Sequence, residues 1–193
     1  MPKRLDYSRV IETLQVLPCL AAYTPVVIGT PPLGLAIAGS DIDIACCAPD
    51  LERFGADLVR GFGSLPRFEM RRSLVRSVPS LVCSFDFMHW TIEIFGQPVP
   101  VAAQYGVRHF AIERRVLGLL GAGFRARVLA LKTAGLKTEP AFAQLLGLAG
   151  DPYKALLDLE TWPDERVLSK IDLFEPQIAA ETLARLAGEG GER

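Results

Sequence analysis

The stretch GTPPLGLAIAGSDIDI, Gly29 to Ile44, decides how this chain is read. The preceding PVVIG, residues 25–29, is short, apolar and bounded by Pro and Gly, and reads as a buried strand ending at Gly29. Residues 31–40 are too rich in Gly and Pro for a helix and read as a loop. SDIDIACC then reads as a second strand. Strand side chains alternate, so Asp41 and Asp43 share one face, with Cα atoms roughly 6.5 Å apart, and Ile42 and Ile44 share the other. Two carboxylates on an apolar strand repel each other and are expensive to bury unpaired. No Lys or Arg stands within six residues upstream of Asp41 or downstream of Asp43. A divalent cation is the simplest counter-charge. Mg²⁺ suits the pair, because it takes carboxylates together with substrate phosphates.

A third acid is sought on a neighbouring strand. Glu93 in TIEIF alternates with Ile92 and Ile94 as the two aspartates alternate with isoleucines, and Asp86, between Phe85 and Phe87, competes with it. Glu93 is preferred because its strand is the more apolar. Three carboxylates on two strands suit two metal ions about 3.5–4 Å apart, an arrangement that serves in-line displacement. Gly29 lets a phosphate approach the backbone, and the Thr30 hydroxyl with nearby N–H groups can donate to phosphate oxygens.

Outward from this stretch, residues 6–17 read as a helix capped by Asp6 or Ser8 and ended by Pro18. A second helix over 51–60 follows Asp50, and strands are expected over 67–75, 80–88 and 90–95, with turns near Ser77-Val78-Pro79 and Met88-His89. Beyond Pro98 and Pro100 the periodicity becomes helical, over 101–120, 123–134, 140–147, 152–160 and 176–187. Asp151-Pro152 is a cap followed by a first-turn proline. The fold class is α+β: a mixed sheet with flanking helices, then a helical C-terminal half. The expected organisation is an α/β core over 1–98, a helical region packed on it over 99–187, and a frayed tail over 188–193.

The 193 residues, 50% apolar and 22% charged, are ordinary globular composition. With 21 basic and 22 acidic side chains the net charge is -1, which argues against an extended nucleic-acid surface. Four cysteines without a CxxC pair and two histidines argue against structural zinc, and the cysteines read as small buried side chains. No apolar run reaches membrane-spanning length and no signal-length segment follows the basic N-terminus, so a cytoplasmic location is expected. The oligomeric state is left open.

The spacing of Gly29, Gly34, Ser40, Asp41 and Asp43, with Thr30 where the pattern has Ser, resembles the signature of nucleotidyltransferases related to DNA polymerase beta. The wider chain, through IEIFGQPVPVAAQYGVRH and LKTAGLKTEPAFAQLLGLAGDPYKALL, is similar to the bacterial DUF4269 family. The resemblance implies Mg²⁺-dependent transfer of a nucleoside monophosphate from a nucleoside triphosphate to an unidentified hydroxyl acceptor. Asp41, Asp43 and Glu93 would be catalytic and hold two ions, Glu93 nearest the acceptor. Gly29, Thr30 and Ser40 would serve the phosphates. Many members carry Arg or Lys after the Gly-Ser pair, whereas this chain has Pro31, Pro32 and Leu33. Positive charge is therefore expected from the helical half, where Arg108, Arg114, Arg115, Arg125, Lys132 and Lys137 are available. Lys132 and Lys137, near a Lys-Thr pair ahead of a helix start, are candidate phosphate ligands. Gln97, Tyr105, Arg108 and His109 are candidate substrate contacts, with core packing the alternative for Tyr105 and His109. Two further readings use the same scaffold: a non-catalytic nucleotide-binding or regulatory protein, and a metal-dependent phosphoesterase.

Overall fold

The computed structural model describes residues 4–170. The helix expected over 176–187 and the tail over 188–193 lie outside the described residues. The chain divides into two compact units, Met1–Arg108 and His109–Arg193, and each is taken by itself.

The first unit is built on a five-stranded sheet. Its strands are β1 (Val26–Ile28), β2 (Ile42–Cys47), β3 (Glu69–Val75), β4 (Val78–Phe87) and β5 (Trp90–Gln97), in the order β1-β2-β5-β4-β3. β2 and β5 run parallel, and every other neighbouring pair is antiparallel. Period-two burial selects the core: Ile42, Ile44 and Cys46 from β2 and Trp90, Ile92 and Ile94 from β5 are buried on one face. That face is covered by α1 (Tyr7–Leu14), α2 (Val16–Cys19) and α3 (Leu51–Phe62) through Val10, Val16, Phe54, Leu58 and Phe62. A Cβ built on Gly96 of β5 would fall on the Phe54 ring, so this glycine lets α3 lie close to the sheet. The Asp50 carboxylate accepts from the backbone N–H of Glu52 and Arg53, at 3.0 Å each, and fixes the start of α3 as expected.

Two local readings are corrected. The first helix does not run to residue 17: Gln15 adopts a left-handed conformation (φ 54°) and divides α1 from α2, and Pro18 lies within α2. The β3–β4 turn is Arg76-Ser77, not Ser77-Val78-Pro79; both residues have positive φ, 51° and 66°. Pro79 is tolerated inside β4 because pairing with β5 begins only at Leu81–Gly96, so its missing N–H interrupts no bond there. The Met88-His89 turn is where the sequence places it, again with positive φ at both residues.

The second unit contains most of α4 (Tyr105–Thr133), then α5 (Thr138–Leu145), α6 (Pro152–Asp158) and α7 (Asp164–Leu168). The two expected helices over 101–120 and 123–134 correspond to one element interrupted at Gly121 (φ 71°, ψ -160°), preceded by a 3₁₀ turn at Val101–Ala103. Asp151 caps α6 through the Lys154 N–H at 2.9 Å. α7 was not expected. Its anchor is Arg115, which donates to Asp164 Oδ1 and to the carbonyls of Leu159 and Trp162. Among the described residues no helix is long and apolar enough to cross a membrane. Burial pushes the Cys46 and Cys83 thiols up to about 12, as suits buried apolar side chains; Cys19, by contrast, is exposed.

Candidate active site

The parallel register of β2 and β5 sets Asp43 directly opposite Glu93. The antiparallel register on the other side sets Ile28 opposite Asp43, so β1 delivers Gly29 beneath the same carboxylate. Gly29 has φ 79°, and a Cβ built on it would fall on Asp43 Oδ2. Only glycine both adopts that conformation and leaves room for the carboxylate. Asp41 precedes β2, on the same side and exposed. Asp43, Glu93 and Gly29 are thus brought together on the interior strands β2 and β5 and at the end of β1, on the face opposite the apolar core, with Asp41 just ahead of β2.

The loop from Thr30 to Ser40 is folded on itself. Gly34 N–H donates to Pro31 O at 3.0 Å, Leu35 N–H to Thr30 O at 2.9 Å, and Ile37 N–H to the Ser40 hydroxyl oxygen at 2.9 Å. Pro31, Leu33 and Leu35 are buried. Ser40 therefore closes the loop that returns the chain to Asp41.

Two arginines stand by the acids. Arg4 donates to the carbonyls of His89, at 3.0 Å, and Ser40, and its guanidinium lies 3.5 Å from the Trp90 ring centre. Burial holds its pKa below the usual value, against the pull of the Asp41 charge. Arg71 Nη2 on β3 is 3.7 Å from Glu93 Oε2. Burial pushes the Glu93 carboxyl above its ordinary value; Arg71 draws it down and Asp41 adds to the rise. Arg71 is not among the expected residues, which gave the acids a divalent cation as counter-charge. The signal was available in the EMRRSLV alternation, but it acquires meaning only from the register Arg71–Val82–Phe95, which puts Arg71 on the face of Glu93.

Asp86, the competing third acid, is engaged elsewhere: Arg67 donates to Oδ1 at 2.8 Å and Thr91 to Oδ1 at 3.1 Å. The Arg67 hydrogen bond holds its carboxyl below the ordinary range.

Asp43 and Glu93 line a cleft of about 260 Å³ together with Ile28, Phe95, Gln104 and Tyr105. Tyr105, the first residue of α4, lies under the Arg76 guanidinium, 4.3 Å from the ring centre. Gln104 is buried. Its Nε2 donates to Cys46 O at 2.8 Å and Val99 O at 3.0 Å, which fixes the amide orientation and leaves buried Oε1 without a partner. Gln97 is also buried and donates from Nε2 to the Ser80 hydroxyl at 3.3 Å. Arg108 is half-buried on α4.

The remaining candidates belong to the second unit. His109 is buried, with Nε2 3.0 Å from Tyr153 O and Nδ1 3.4 Å from Glu139 Oε1. Lys132 is buried and donates to Thr138 Oγ1 at 2.8 Å, and Lys137 is exposed at the start of α5. Thr138 is the first residue of α5, with Lys137 at the cap position. Burial pushes the Glu113 carboxyl up to about 8, with Glu139 adding to the rise and Lys132 opposing it. Burial also opposes charge on Glu139, but the His109 hydrogen bond and the charges of His109 and Lys132 prevail and hold it low.

Among the described residues, no three His, Cys, Asp or Glu side chains are closed around a common point as a metal site. The donor chemistry nonetheless fits Mg²⁺. Asp41, Asp43 and Glu93 offer only carboxylate oxygens, and Gly29 keeps the ground under Asp43 clear.

The fold has solved counterparts. The Cid1 poly(U) polymerase with MgGTP bound is 15% identical over 78% of this chain and 47% of that one, with a TM-score of 0.50. A cytoplasmic RNA terminal U-transferase is 16% identical over 78% of this chain and 46% of that one, with a TM-score of 0.51. This chain spans about half the length of these structures, and the likeness is one of fold, as the polymerase-beta resemblance implies. No curated protein matches the sequence. A family model described as a domain of unknown function, DUF4269, matches residues 9–159, and the chain belongs to that family.

Proposed function

We propose that this protein transfers a nucleoside monophosphate from a nucleoside triphosphate to the hydroxyl of an acceptor, with Mg²⁺. The observation that carries this reading is the Asp43–Glu93 pair in register across parallel strands, with a side-chain-free Gly29 beneath the Asp43 carboxylate. Asp41, Asp43 and Glu93 would hold the metal. Bound Mg²⁺ supplies charge neutralisation and alignment of attacking and leaving oxygens. Gly29 and Thr30 present backbone N–H groups and a hydroxyl to the terminal phosphates. Ser40 fixes the loop that positions Asp41. Glu93, as a carboxylate, would accept the proton leaving the acceptor hydroxyl at one of its oxygens. Support also comes from the fold shared with the Cid1 poly(U) polymerase, described with MgGTP bound.

The test is a thermal-shift series with Mg²⁺ and each of the four common triphosphates. The melting temperature rises with at least one of them, and the rise disappears in D41A/D43A. No rise with any triphosphate overturns the reading. A second reading is a nucleotide-binding protein without catalysis. It is supported by a Thr30–Ser40 loop with no cationic side chain, in which Pro31, Leu33 and Leu35 turn inward. It predicts the same thermal shift without pyrophosphate release, whereas release that depends on Asp41 excludes it.

A further inference from the structure

We propose that Arg71 binds an anionic group on the acceptor, so that the acceptor is a hydroxyl compound carrying a phosphate ester and not a polycation. This rests on the nucleotidyl-transfer reading of the same cleft.

The register carries the argument. Arg71 faces the side of the sheet that bears Glu93, and Val75, four residues on along the same face of β3, lines the cleft. At the β3–β4 turn, Arg76 lies over Tyr105, another cleft residue. One strand and its turn therefore set one guanidinium beside Glu93 and another over Tyr105, two residues that line the cleft. The sheet face beyond Glu93 is polar: Ser84 pairs with Glu93, and Asp86 is tied to Arg67 and Thr91. A ligand lying over this face meets polar and cationic groups.

Arg71 also differs from the arginines around it. Arg67 holds Asp86 through Nε at 2.6 Å and Nη2 at 2.8 Å. Arg72 is turned to the opposite side and paired with Glu52. Arg71 has a long, single ion pair in which its own side chain is 65% exposed and that of Glu93 37%. A pair of that kind is weak enough to exchange. With Glu93 holding a metal, the guanidinium would be left beside the cleft without that partner. A planar guanidinium then matches a phosphate with two parallel hydrogen bonds. A cationic acceptor would instead require a wall of unpaired acids, and here β3 presents arginines.

The test is calorimetric titration in the presence of Mn²⁺ and a non-hydrolysable triphosphate. The probes are glycerol 3-phosphate, glycerol, spermidine and a 5′-phosphorylated tetranucleotide, applied to the wild type, R71Q, R71K and R72Q. The phosphate esters bind and glycerol does not. R71Q weakens ester binding at least tenfold, R71K restores part of it, and R72Q matches the wild type. Tighter binding of the tetranucleotide than of glycerol 3-phosphate assigns the phosphate to a nucleic-acid end; equal or weaker binding assigns it to a small ester. Equal ester affinity in the wild type and R71Q, no ester binding at all, or preference for spermidine overturns the inference. The wild-type thermal shift with Mg²⁺ and triphosphate separates the two claims. A shift with no Arg71 dependence sinks this inference alone, and no shift sinks the reading beneath it.

Discussion

A single missing Cβ decides whether the acid cluster can exist. At Gly29 an alanine meets the Asp43 carboxylate and a positive φ together. G29A is expected to lose roughly 1–2 kcal/mol from the backbone conformation alone and to abolish the triphosphate-dependent thermal shift. Chemical denaturation and thermal-shift assays read the two effects separately, and G29A with an intact shift would refute the proposed contact. Glu113 offers a second residue-scale test, in the second unit. With its pKa near 8 in the fold and near the ordinary 4.5 when unfolded, the native state binds more protons between these values. Stability therefore falls as pH rises from about 4.5 to 8, by at most roughly 1.4 kcal/mol per pH unit from this group, and levels off above. E113Q flattens that slope. Denaturation midpoints at pH 5 and pH 8 that differ equally in the wild type and E113Q would remove Glu113 as the cause.

At the scale of elements, the strands were legible because burial on one side imposes period two, and the alternation in DIDI and TIEIF placed the acids on the polar face. Where the reading slipped, a backbone conformation outweighed pattern. Gln15 turns left-handed in a run that otherwise looks helical, and Arg76-Ser77 makes a two-residue turn without the Asn or Gly that would announce it. That turn suggests its own experiment: both central residues carry positive φ, a geometry that Asn-Gly favours. R76N/S77G is expected to raise the unfolding free energy by roughly 1 kcal/mol, measured by urea denaturation, while removing the guanidinium from the Tyr105 ring. Arg71 was illegible for another reason. Its neighbour in space is fixed by cross-strand register, which spacing along the chain does not contain. The same holds for Gln104, whose partners are the carbonyls of Cys46 and Val99.

For the molecule as a whole, near-neutral charge leaves recognition to local groups. Ligand linkage sets the expected scale: a triphosphate at a hundred times its dissociation constant stabilises the fold by about 2.7 kcal/mol. Chelation with EDTA should erase that gain in the wild type and leave D41A/D43A unchanged, as scanning calorimetry would report. The parallel pairing of β2 with β5 has a consequence for how this protein comes into being. Asp43 and Glu93 are partners in space but fifty positions apart in the chain. During synthesis the first acid waits for helix α3 and two further strands to emerge before its counterpart exists. A ribosome-bound chain stopped short of β5 would hold half of the acid pair, so the proposed metal site could form only on completion of the sheet.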